Sequence, residues 1–293
     1  MIGRLFFIFI SAVGFWRAKM VGRELMEFVK PILLGLLQGA TEFLPVSSSG
    51  HLVLAEAFFH VQEAGMIFDV ALHMGTLLAI LAYFRQDFLA IMRALLQPGS
   101  QDQEVRGNQH LALFLIVATI PAAVIGKLFG DQIEAHLRQP AVVAATLVGG
   151  AFLLLWAEKV GCRQRCLSEI GLVDAIIIGL AQTCALVPGV SRSGITMTAG
   201  LFLDLDRSAA ARFSFLMSAP IIAGAGLLNL LKVIKQGLLP GQEAFFLSGF
   251  LASAISGYLF IAFLMRYLQT RSFAIFAYYR MALAAVVVWT ILR

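Results

Sequence analysis

The fold is decided by two related stretches of the chain, GLLQGATEFLPVSSSG at residues 35–50 and GLAQTCALVPGVSRSG at residues 179–194. The second copy follows the first by 144 positions, and the two align without a gap. Each copy is an apolar run that stops at a proline and continues into a loop of serine and glycine. Apolar segments that Gly and Pro interrupt at corresponding positions of two halves are the best sequence pointer to a site inside a membrane protein.

The composition is that of an integral membrane protein. Hydrophobic residues make up 60% of the 293-residue chain and charged residues 13%, whereas about a quarter of the residues of a soluble domain are charged. The net charge of +5 is assigned to lysines and arginines of the loops, because the sequence contains no basic run. It therefore indicates no nucleic-acid partner. The three cysteines are interpreted as free thiols.

Six apolar segments are long enough to cross a bilayer as helices, which takes about 20 residues. Two further apolar stretches are broken in the middle, 31–59 at residues 45–50 and 172–203 at residues 188–194. Their arms are too short to cross, which predicts re-entrant helical hairpins whose loops line a cavity. The six predicted crossings are residues 66–84, 110–130, 140–157, 212–231, 244–265 and 274–292.

The order of these segments predicts an inverted repeat. Three crossings separate the two hairpins, which is an odd number, so the second hairpin enters from the opposite face. The predicted fold is an all-α polytopic membrane protein in which one re-entrant hairpin and three transmembrane helices occur twice. The repeats are about 31–157 and 172–293, within a single membrane domain at 26–293. Both loops can then meet near the midplane, where inverted-repeat proteins place their sites.

The orientation follows from the positive-inside rule. The face that collects more Lys and Arg, including Arg85 and Arg163, is predicted to be cytoplasmic, so the first hairpin enters from the outer side. Residues 1–25 are an N-terminal extension to which we assign no function. A signal segment, a short helix, and sequence ahead of a start at Met20 or Met26 remain open as interpretations.

The first hairpin carries acidic and polar side chains. Gln38 and Glu42 are four residues apart, on one face of a helix and one turn from the break. A carboxylate at this depth costs about 2.5 kcal/mol or more unless it faces a cavity or a partner, so we favour a functional role over helix packing. After the break, Ser48 precedes His51 by three residues, a spacing that permits a nucleophile–base pair. Such serines can equally join helices.

The second hairpin carries a basic residue where the first has Ser48. Arg192 offers a planar guanidinium that suits phosphate oxygens, in a loop whose N–H groups lie near the start of a helix, an anion-binding arrangement. An ion pair between Arg192 and Glu42 is the structural alternative, and both roles can coexist in an empty site. The residues predicted to bind the substrate's anionic group are Ser47, Ser49, Gly189, Ser191, Ser193, Gly194 and Thr196.

The two hairpins together present an acidic tip to a basic tip. Glu42 and Gln38 can supply oxygen ligands to Mg²⁺ or Ca²⁺, and Arg192 can bind phosphate. Cation and guanidinium together would stabilise charge on a transferring phosphoryl group, and a site at bilayer depth indicates a substrate with a lipid tail. His73 is interpreted as a satisfied core residue, and Arg280 as a side chain that extends to the membrane interface.

Two motifs resemble those of the bacterial undecaprenyl-diphosphate phosphatase family, which is linked to bacitracin resistance. QGATEFLPVSSSGH at residues 38–51 is similar to the family's Glu/Gln-x-x-x-Glu stretch with its serine and histidine, and PGVSRSGIT at residues 188–196 is similar to its PGxSRSGxT motif. The span order and the chain length also agree from about Met26 onward. Gln38 stands where many members have glutamate, which keeps an oxygen ligand but removes a charge.

This resemblance implies hydrolysis of undecaprenyl diphosphate to undecaprenyl phosphate and inorganic phosphate. The reaction recycles the lipid carrier of peptidoglycan synthesis at the bacterial plasma (inner) membrane and confers bacitracin resistance. The resemblance also implies an active site that is open to the periplasmic side. It further implies a divalent cation, Mg²⁺ or Ca²⁺, with Glu42 and Gln38 as ligands or base, and Arg192 bound to the diphosphate. Ser48, His51 and a metal-bound water are the candidates for the nucleophile.

A polyprenyl-phosphate transporter or flippase is the alternative, because inverted repeats with broken helices are transporter architecture. In both cases the expected partners are a polyprenyl diphosphate lipid and the surrounding membrane lipids, and the sequence leaves a homodimer open. A transporter needs no nucleophile, so release of phosphate separates the two hypotheses.

Overall fold

The computed structural model describes residues 29–48, 50–51, 66–236 and 243–292. The regular secondary structure of this part of the chain is helical, apart from one isolated β-bridge between Arg165 and Leu205. The predicted extension, residues 1–25, and the segment 52–59 lie outside the described residues. The helices are α1 (29–43), α2 (Met66–Tyr83), α3 (Arg85–Leu95), α4 (Gln103–Leu137), α5 (Pro140–Val160), α6 (Leu172–Thr183), α7 (Arg192–Phe202), α8 (Arg207–Gln236), α9 (Glu243–Tyr267) and α10 (Ala274–Ile291).

Five helices of the described ranges are long and apolar enough to cross a membrane, namely α4, α5, α8, α9 and α10. Helix α2 passes the same test only together with α3, from which it is bent by 76°. The predicted crossings lie in these helices. The sequence did not predict α3, because it is short and amphipathic: it buries Ile91 and Ala94 while Arg85 and Arg93 are exposed. Helix α4 also begins earlier than predicted, at Gln103.

Both broken segments have their breaks where the sequence predicted them. Helix α1 ends at residue 43 and helical structure resumes at residue 48. Helix α6 is followed by a single 3₁₀ turn, Cys184–Leu186, and α7 begins at Arg192. We refer to residues 42–48 as break 1 and residues 187–192 as break 2, so that each includes the adjoining helix ends. Neither α6 nor α7 is long enough to cross a bilayer alone.

The two breaks share an uncommon backbone geometry. Ser47 and Ser191, which occupy the same position in the two copies, have φ angles of 73° and 68°, values that non-glycine residues adopt only rarely. Each serine hydroxyl accepts a hydrogen bond from the amide of the glycine three residues on, Gly50 at 3.4 Å and Gly194 at 3.2 Å. Such side-chain bonds satisfy helix N–H groups that have no partner within the helix. The repeat is therefore a repeat of backbone structure.

Each broken segment packs against a helix of the other half. A Cβ atom on Gly35 of α1 would overlap the backbone of Gly249 in α9, and one on Gly179 of α6 would overlap the backbone of Ala118 in α4. Gly35 and Gly179 are equivalent positions of the repeat. Small residues permit this close approach of helices in membrane proteins. Each broken segment therefore takes part of its support from the opposite half.

An aromatic contact holds the end of α1, and an ion pair holds the outer ends of the second broken segment. Phe43, the last residue of α1, is fully buried and packs edge-to-face on Phe215 of α8, with ring centroids 5.5 Å apart. Arg165 donates to both carboxylate oxygens of Asp174 at the start of α6, at 3.0 and 2.6 Å, and to the carbonyl of Leu203 just after α7, at 2.9 Å. A bidentate pair of this kind is among the stronger hydrogen-bonded contacts. It joins the two outer ends of the second broken segment.

Candidate active site

The two breaks meet inside the helical bundle. Arg192 Nη2 donates to Glu42 Oε1 at 2.9 Å, and the hydroxyl of Ser193 donates to the carbonyl of Leu44 at 3.0 Å. The side chains of Glu42 and Arg192 are 9% and 16% exposed. The sequence prediction that the acidic and basic tips come within reach of one another is confirmed, and the ion pair that it gave as the structural alternative is present.

The guanidinium of Arg192 is only partly satisfied by this pair. Its Nη1 atom is buried and has no hydrogen-bond partner among the described residues. An unpaired buried donor is unfavourable by about 1–3 kcal/mol, and such groups are rare in folded proteins. This nitrogen therefore retains unused hydrogen-bonding capacity.

A cavity of about 470 Å³ lies against the ion pair and is lined by both breaks together with α2 and α8. Part of its wall is polar and part is apolar, so that a charged head group and a hydrocarbon chain could both find matching surfaces. The polar lining residues are Glu42, Ser47, Ser48, Asp69, His73, Ser191 and Arg192. The apolar ones include Val70, Leu186, Pro188, Ile221, Ile222 and Ala225.

The second carboxylate oxygen of Glu42 faces two further polar groups. Gln38 Nε2 donates to Glu42 Oε2 at 3.0 Å, and His73 Nε2 lies 4.0 Å from the same oxygen. The expectation that His73 is a satisfied core residue is wrong, because its side chain is 45% exposed and lines the cavity. Apolar neighbours in the sequence concealed it, since the face of a crossing helix that borders a cavity depends on tertiary packing.

Both ring nitrogens of His51 have hydrogen-bond partners. Its Nδ1 lies 2.7 Å from the carbonyl of Ser47, so this nitrogen carries the proton, and Nε2 accepts from the hydroxyl of Tyr279 at 2.7 Å. The Tyr279 ring also stacks on the imidazole. Both ring nitrogens of His51 are thus engaged by other groups, and the nucleophile–base pair with Ser48 that the spacing permits stays a hypothesis. Ser48 lines the cavity, and Ser49 lies outside the described residues.

The predicted substrate-binding residues divide into two groups. Ser47 and Ser191 line the cavity. The hydroxyl of Ser193 is used by the contact with break 1, and that of Thr196 by the carbonyl of Arg192 at 2.8 Å and by Ser214 at 2.7 Å. Gly189 and Gly194 shape the loop rather than its cavity wall: Gly189 has a φ of 91°.

Arg280 is a second residue whose position the sequence predicted wrongly. It does not extend to the membrane interface but is 1% exposed in the bundle. Its guanidinium donates to the carbonyls of Gly189 and Val190 in break 2, at 3.2 and 2.9 Å, and to those of Thr146 and Leu147 in α5, both at 3.2 Å. Arg280 therefore joins the backbone of break 2 to that of α5.

A signal for Arg280 does exist in the sequence. An ionisable residue within an apolar span is a functional candidate by default. Gly150 gives the structural reason for its placement, because a Cβ atom at that position would overlap the guanidinium. Long side chains near helix ends usually reach the interface, but Arg280 is buried, as the rule for ionisable residues within an apolar span would predict.

The donor set beside Glu42 fits a divalent cation in part. Among the described residues, no group of three or more His, Cys, Asp and Glu is arranged to hold a metal ion. Glu42 and Gln38 nevertheless bring a carboxylate and an amide to one point, and both groups are ligands that Mg²⁺ and Ca²⁺ accept.

The fold and the site define a polytopic helical membrane protein with a buried ion pair and a cavity between two broken helices. The family model of the bacitracin resistance protein BacA matches residues 31–286. The chain belongs to this family.

The chain matches several highly similar proteins over nearly their full length. The undecaprenyl-diphosphatase of Rubrobacter xylanophilus is 48% identical over 266 residues, 90% of this chain and 98% of that protein. The undecaprenyl-diphosphatase of Moorella thermoacetica is 48% identical over 264 residues, 90% of this chain and 97% of that protein. The undecaprenyl-diphosphatase of Geotalea daltonii is 43% identical over 259 residues, 88% of this chain and 96% of that protein.

Proposed function

We propose that the protein hydrolyses undecaprenyl diphosphate to undecaprenyl phosphate and inorganic phosphate. The observation that carries this proposal is the meeting of Glu42 and Arg192 across the two breaks, with an unpartnered guanidinium nitrogen beside a cavity. The names of the relatives and membership of the BacA family support it. The consequence in the cell is recycling of the lipid carrier of peptidoglycan synthesis, and with it bacitracin resistance.

The proposed topology is an inverted repeat of one re-entrant hairpin and three crossings. Equal backbone geometry at Ser47 and Ser191 and the reciprocal packing of Gly35 and Gly179 support equivalence of the two halves. The three crossings between the hairpins make their orientations opposite. The greater number of Lys and Arg on one face supports a site that is open to the periplasmic side of the inner membrane.

The head group and the tail of the substrate have separate contacts in this proposal. Arg192 uses its free Nη1 and its planar fork on the diphosphate oxygens. The first amides of α7 add donors at a helix N-terminus, where anions are favoured. The apolar wall formed by Leu186, Ile221 and Ile222 contacts the first isoprenoid units. A substrate with both parts fits such a cavity better than inorganic diphosphate does.

The reaction breaks the bond between the terminal phosphorus and the bridging oxygen. The oxygen of the attacking group bonds to that phosphorus, and the lipid phosphate departs with the bridging oxygen. Water or the Ser48 hydroxyl is the attacking group; Ser48 would form a phosphoserine that water then hydrolyses. Glu42 is the acceptor for the proton of the attacking group, and His51 orients the turn that carries Ser48 through its bond to Ser47.

Glu42 and Gln38 are the ligands proposed for a divalent cation. Such a cation supplies positive charge to phosphoryl oxygens, as Arg192 does from break 2. The two carboxylate oxygens of Glu42 have different neighbours, because Oε1 contacts Arg192 and Oε2 contacts Gln38. Glu42 can therefore pair with Arg192 through one oxygen and bind the cation through the other.

Phosphate release by the purified protein tests the proposal. Detergent-solubilised protein is incubated with undecaprenyl diphosphate, with Mg²⁺ or Ca²⁺ and with a chelator. We expect release of inorganic phosphate that the chelator abolishes. Absence of release under every cation condition, in protein that remains folded, would refute the hydrolase and favour the transporter, which needs no chemistry at phosphorus.

A further inference from the structure

His73 lies beside Glu42 but belongs to neither sequence motif. Glu42 Oε2 is 3.0 Å from Gln38 Nε2 and 4.0 Å from His73 Nε2, and the two nitrogens are 3.4 Å apart. These three atoms form a triangle beside the cavity. Arg192 binds the other oxygen of Glu42, so it does not occupy this triangle.

The protonation of His73 follows from its second nitrogen. His73 Nδ1 lies 2.8 Å from the carbonyl oxygen of Asp69, and a carbonyl can only accept, so Nδ1 carries the ring proton. In the neutral imidazole Nε2 then presents a lone pair. Histidines that bind metals almost always donate their other ring N–H to a carboxylate, a backbone carbonyl or water. His73 is arranged in this way.

The three atoms are close enough together for one cation to contact all of them. A point equidistant from atoms separated by 3.0, 3.4 and 4.0 Å lies about 2 Å from each in the plane and farther above it, so the triangle accommodates both the roughly 2.0–2.1 Å bonds of Mg²⁺ and the roughly 2.3–2.6 Å bonds of Ca²⁺. The chemistry of the three ligands, and not their spacing, therefore decides which cation is preferred. Half a turn of the Gln38 amide exchanges Nε2 for Oε1, two atoms of nearly equal size. An oxygen then stands at the third corner.

We propose that Glu42 Oε2, Gln38 Oε1 and His73 Nε2 form a divalent-cation site in which the imidazole shifts the preference from Ca²⁺ toward Mn²⁺. The inference rests on the proposed function and adds to it the third protein ligand and the kind of cation. With glutamine at position 38 the triangle holds a single carboxylate, so the attraction for a hard ion is weak. An imidazole ligand favours transition metals over Ca²⁺ and Mg²⁺.

His136 provides a matched control. Its Nδ1 makes the same bond to a carbonyl four residues earlier, that of Gln132 at 2.8 Å, but it is not among the cavity-lining residues. A histidine that only stabilises its helix should behave like His136. A histidine that binds the cation should not.

Manganese binding tests the site directly. Chelator-treated full-length protein is titrated with Mn²⁺, free Mn²⁺ is followed by electron paramagnetic resonance, and pulsed measurements detect nitrogen bound to the ion. In His73→Ala we expect Mn²⁺ affinity to fall about tenfold or more and the nitrogen signal to disappear, with both unchanged in His136→Ala. Unchanged Mn²⁺ affinity with a persistent nitrogen signal in His73→Ala would overturn the site. So would Ca²⁺ that displaces Mn²⁺ from the wild type at equal concentration.

Phosphate release measured on the same samples separates this inference from the proposed function. Hydrolysis of undecaprenyl diphosphate with no nitrogen bound to Mn²⁺ would refute the site and leave the hydrolase standing. Mn²⁺ bound through His73 in a protein that releases no phosphate would support the site and refute the hydrolase.

Discussion

Break 1 and break 2 have the same backbone and opposite chemistry. Both turn at a serine with positive φ whose hydroxyl accepts from a glycine amide three residues later. Break 1 presents the carboxylate of Glu42 and the hydroxyl of Ser48, with the amide of Gln38 one helical turn earlier, whereas break 2 presents the guanidinium of Arg192. A strained turn can thus be duplicated as a scaffold, while the charge that it presents changes independently in each copy.

The last helix supports the two breaks by different means. Tyr279 contacts the histidine that follows break 1 through one hydrogen bond and ring stacking, and the adjacent Arg280 binds two carbonyls of break 2. Tyr279 therefore acts on break 1 through the side chain of His51, whereas Arg280 binds the backbone of break 2 directly. Substitutions at the two supports should have unequal effects.

The largest expected effect comes from removing the charge of break 2. In Arg192→Ala we expect turnover to fall about 10³-fold, since a preorganised donor in a buried site is lost. Arg192→Lys should recover only part of it, because an ammonium lacks the planar fork. Initial rates of phosphate release measure this, with the exposed Arg93→Ala as control. Wild-type rates in Arg192→Lys would show that break 2 contributes charge alone.

The support of break 2 gives the next effect. Arg280→Ala removes a buried guanidinium that donates to four carbonyls, and we expect the free energy of unfolding to fall by about 3 kcal/mol or more. Gly150→Ala should reproduce much of this loss, because the new methyl group displaces the guanidinium. Gly149→Ala is its matched control, since a Cβ atom there meets nothing within 4 Å. Thermal unfolding in detergent measures all three, and equal stability of the two glycine variants would contradict the role of Arg280.

The support of break 1 should matter less. Tyr279→Phe removes the hydrogen bond to His51 and keeps the stacked ring, so we expect turnover to fall about 3–10-fold, as for one hydrogen bond, with KM little changed. Tyr278→Phe alters the exposed neighbouring ring and should have no effect. If the two variants are indistinguishable, the His51–Tyr279 bond has no part in the reaction.

The smallest effects test whether the two turns are equivalent. Ser47→Ala and Ser191→Ala each lose a helix cap, which costs about 1 kcal/mol of stability. Ser47→Gly and Ser191→Gly lose the same cap but relieve the positive φ, so we expect these to stay within about 0.5 kcal/mol of the wild type. Chemical unfolding of the four variants measures this, and unequal values at the two breaks would contradict a shared backbone.

The sequence predicted the two breaks and their meeting because both follow from local features. Pro, Gly and Ser end an apolar run, and repetition of the pattern makes the two positions correspond. Arg192 and Glu42 were identifiable because charge is rare in such segments. The contact between them is confirmed by the structure.

The residues that the sequence placed wrongly all depend on tertiary packing. The exposure of His73 to a cavity and the burial of Arg280 are set by which faces of α2 and α10 meet other helices. The apolar pattern around these residues is the same on a lipid face and on a buried face. The tie between His51 and Tyr279 joins residues 228 positions apart, and nothing in the local spacing near Ser48 indicates it.

The reciprocal packing of Gly35 and Gly179 has a consequence for assembly of the chain. Each broken segment lies against a helix synthesised as part of the opposite half, so the close contact at Gly35 forms only after α9 has been made. Glu42 and Arg192 also come from opposite halves, so their ion pair requires both halves of the chain in the bilayer.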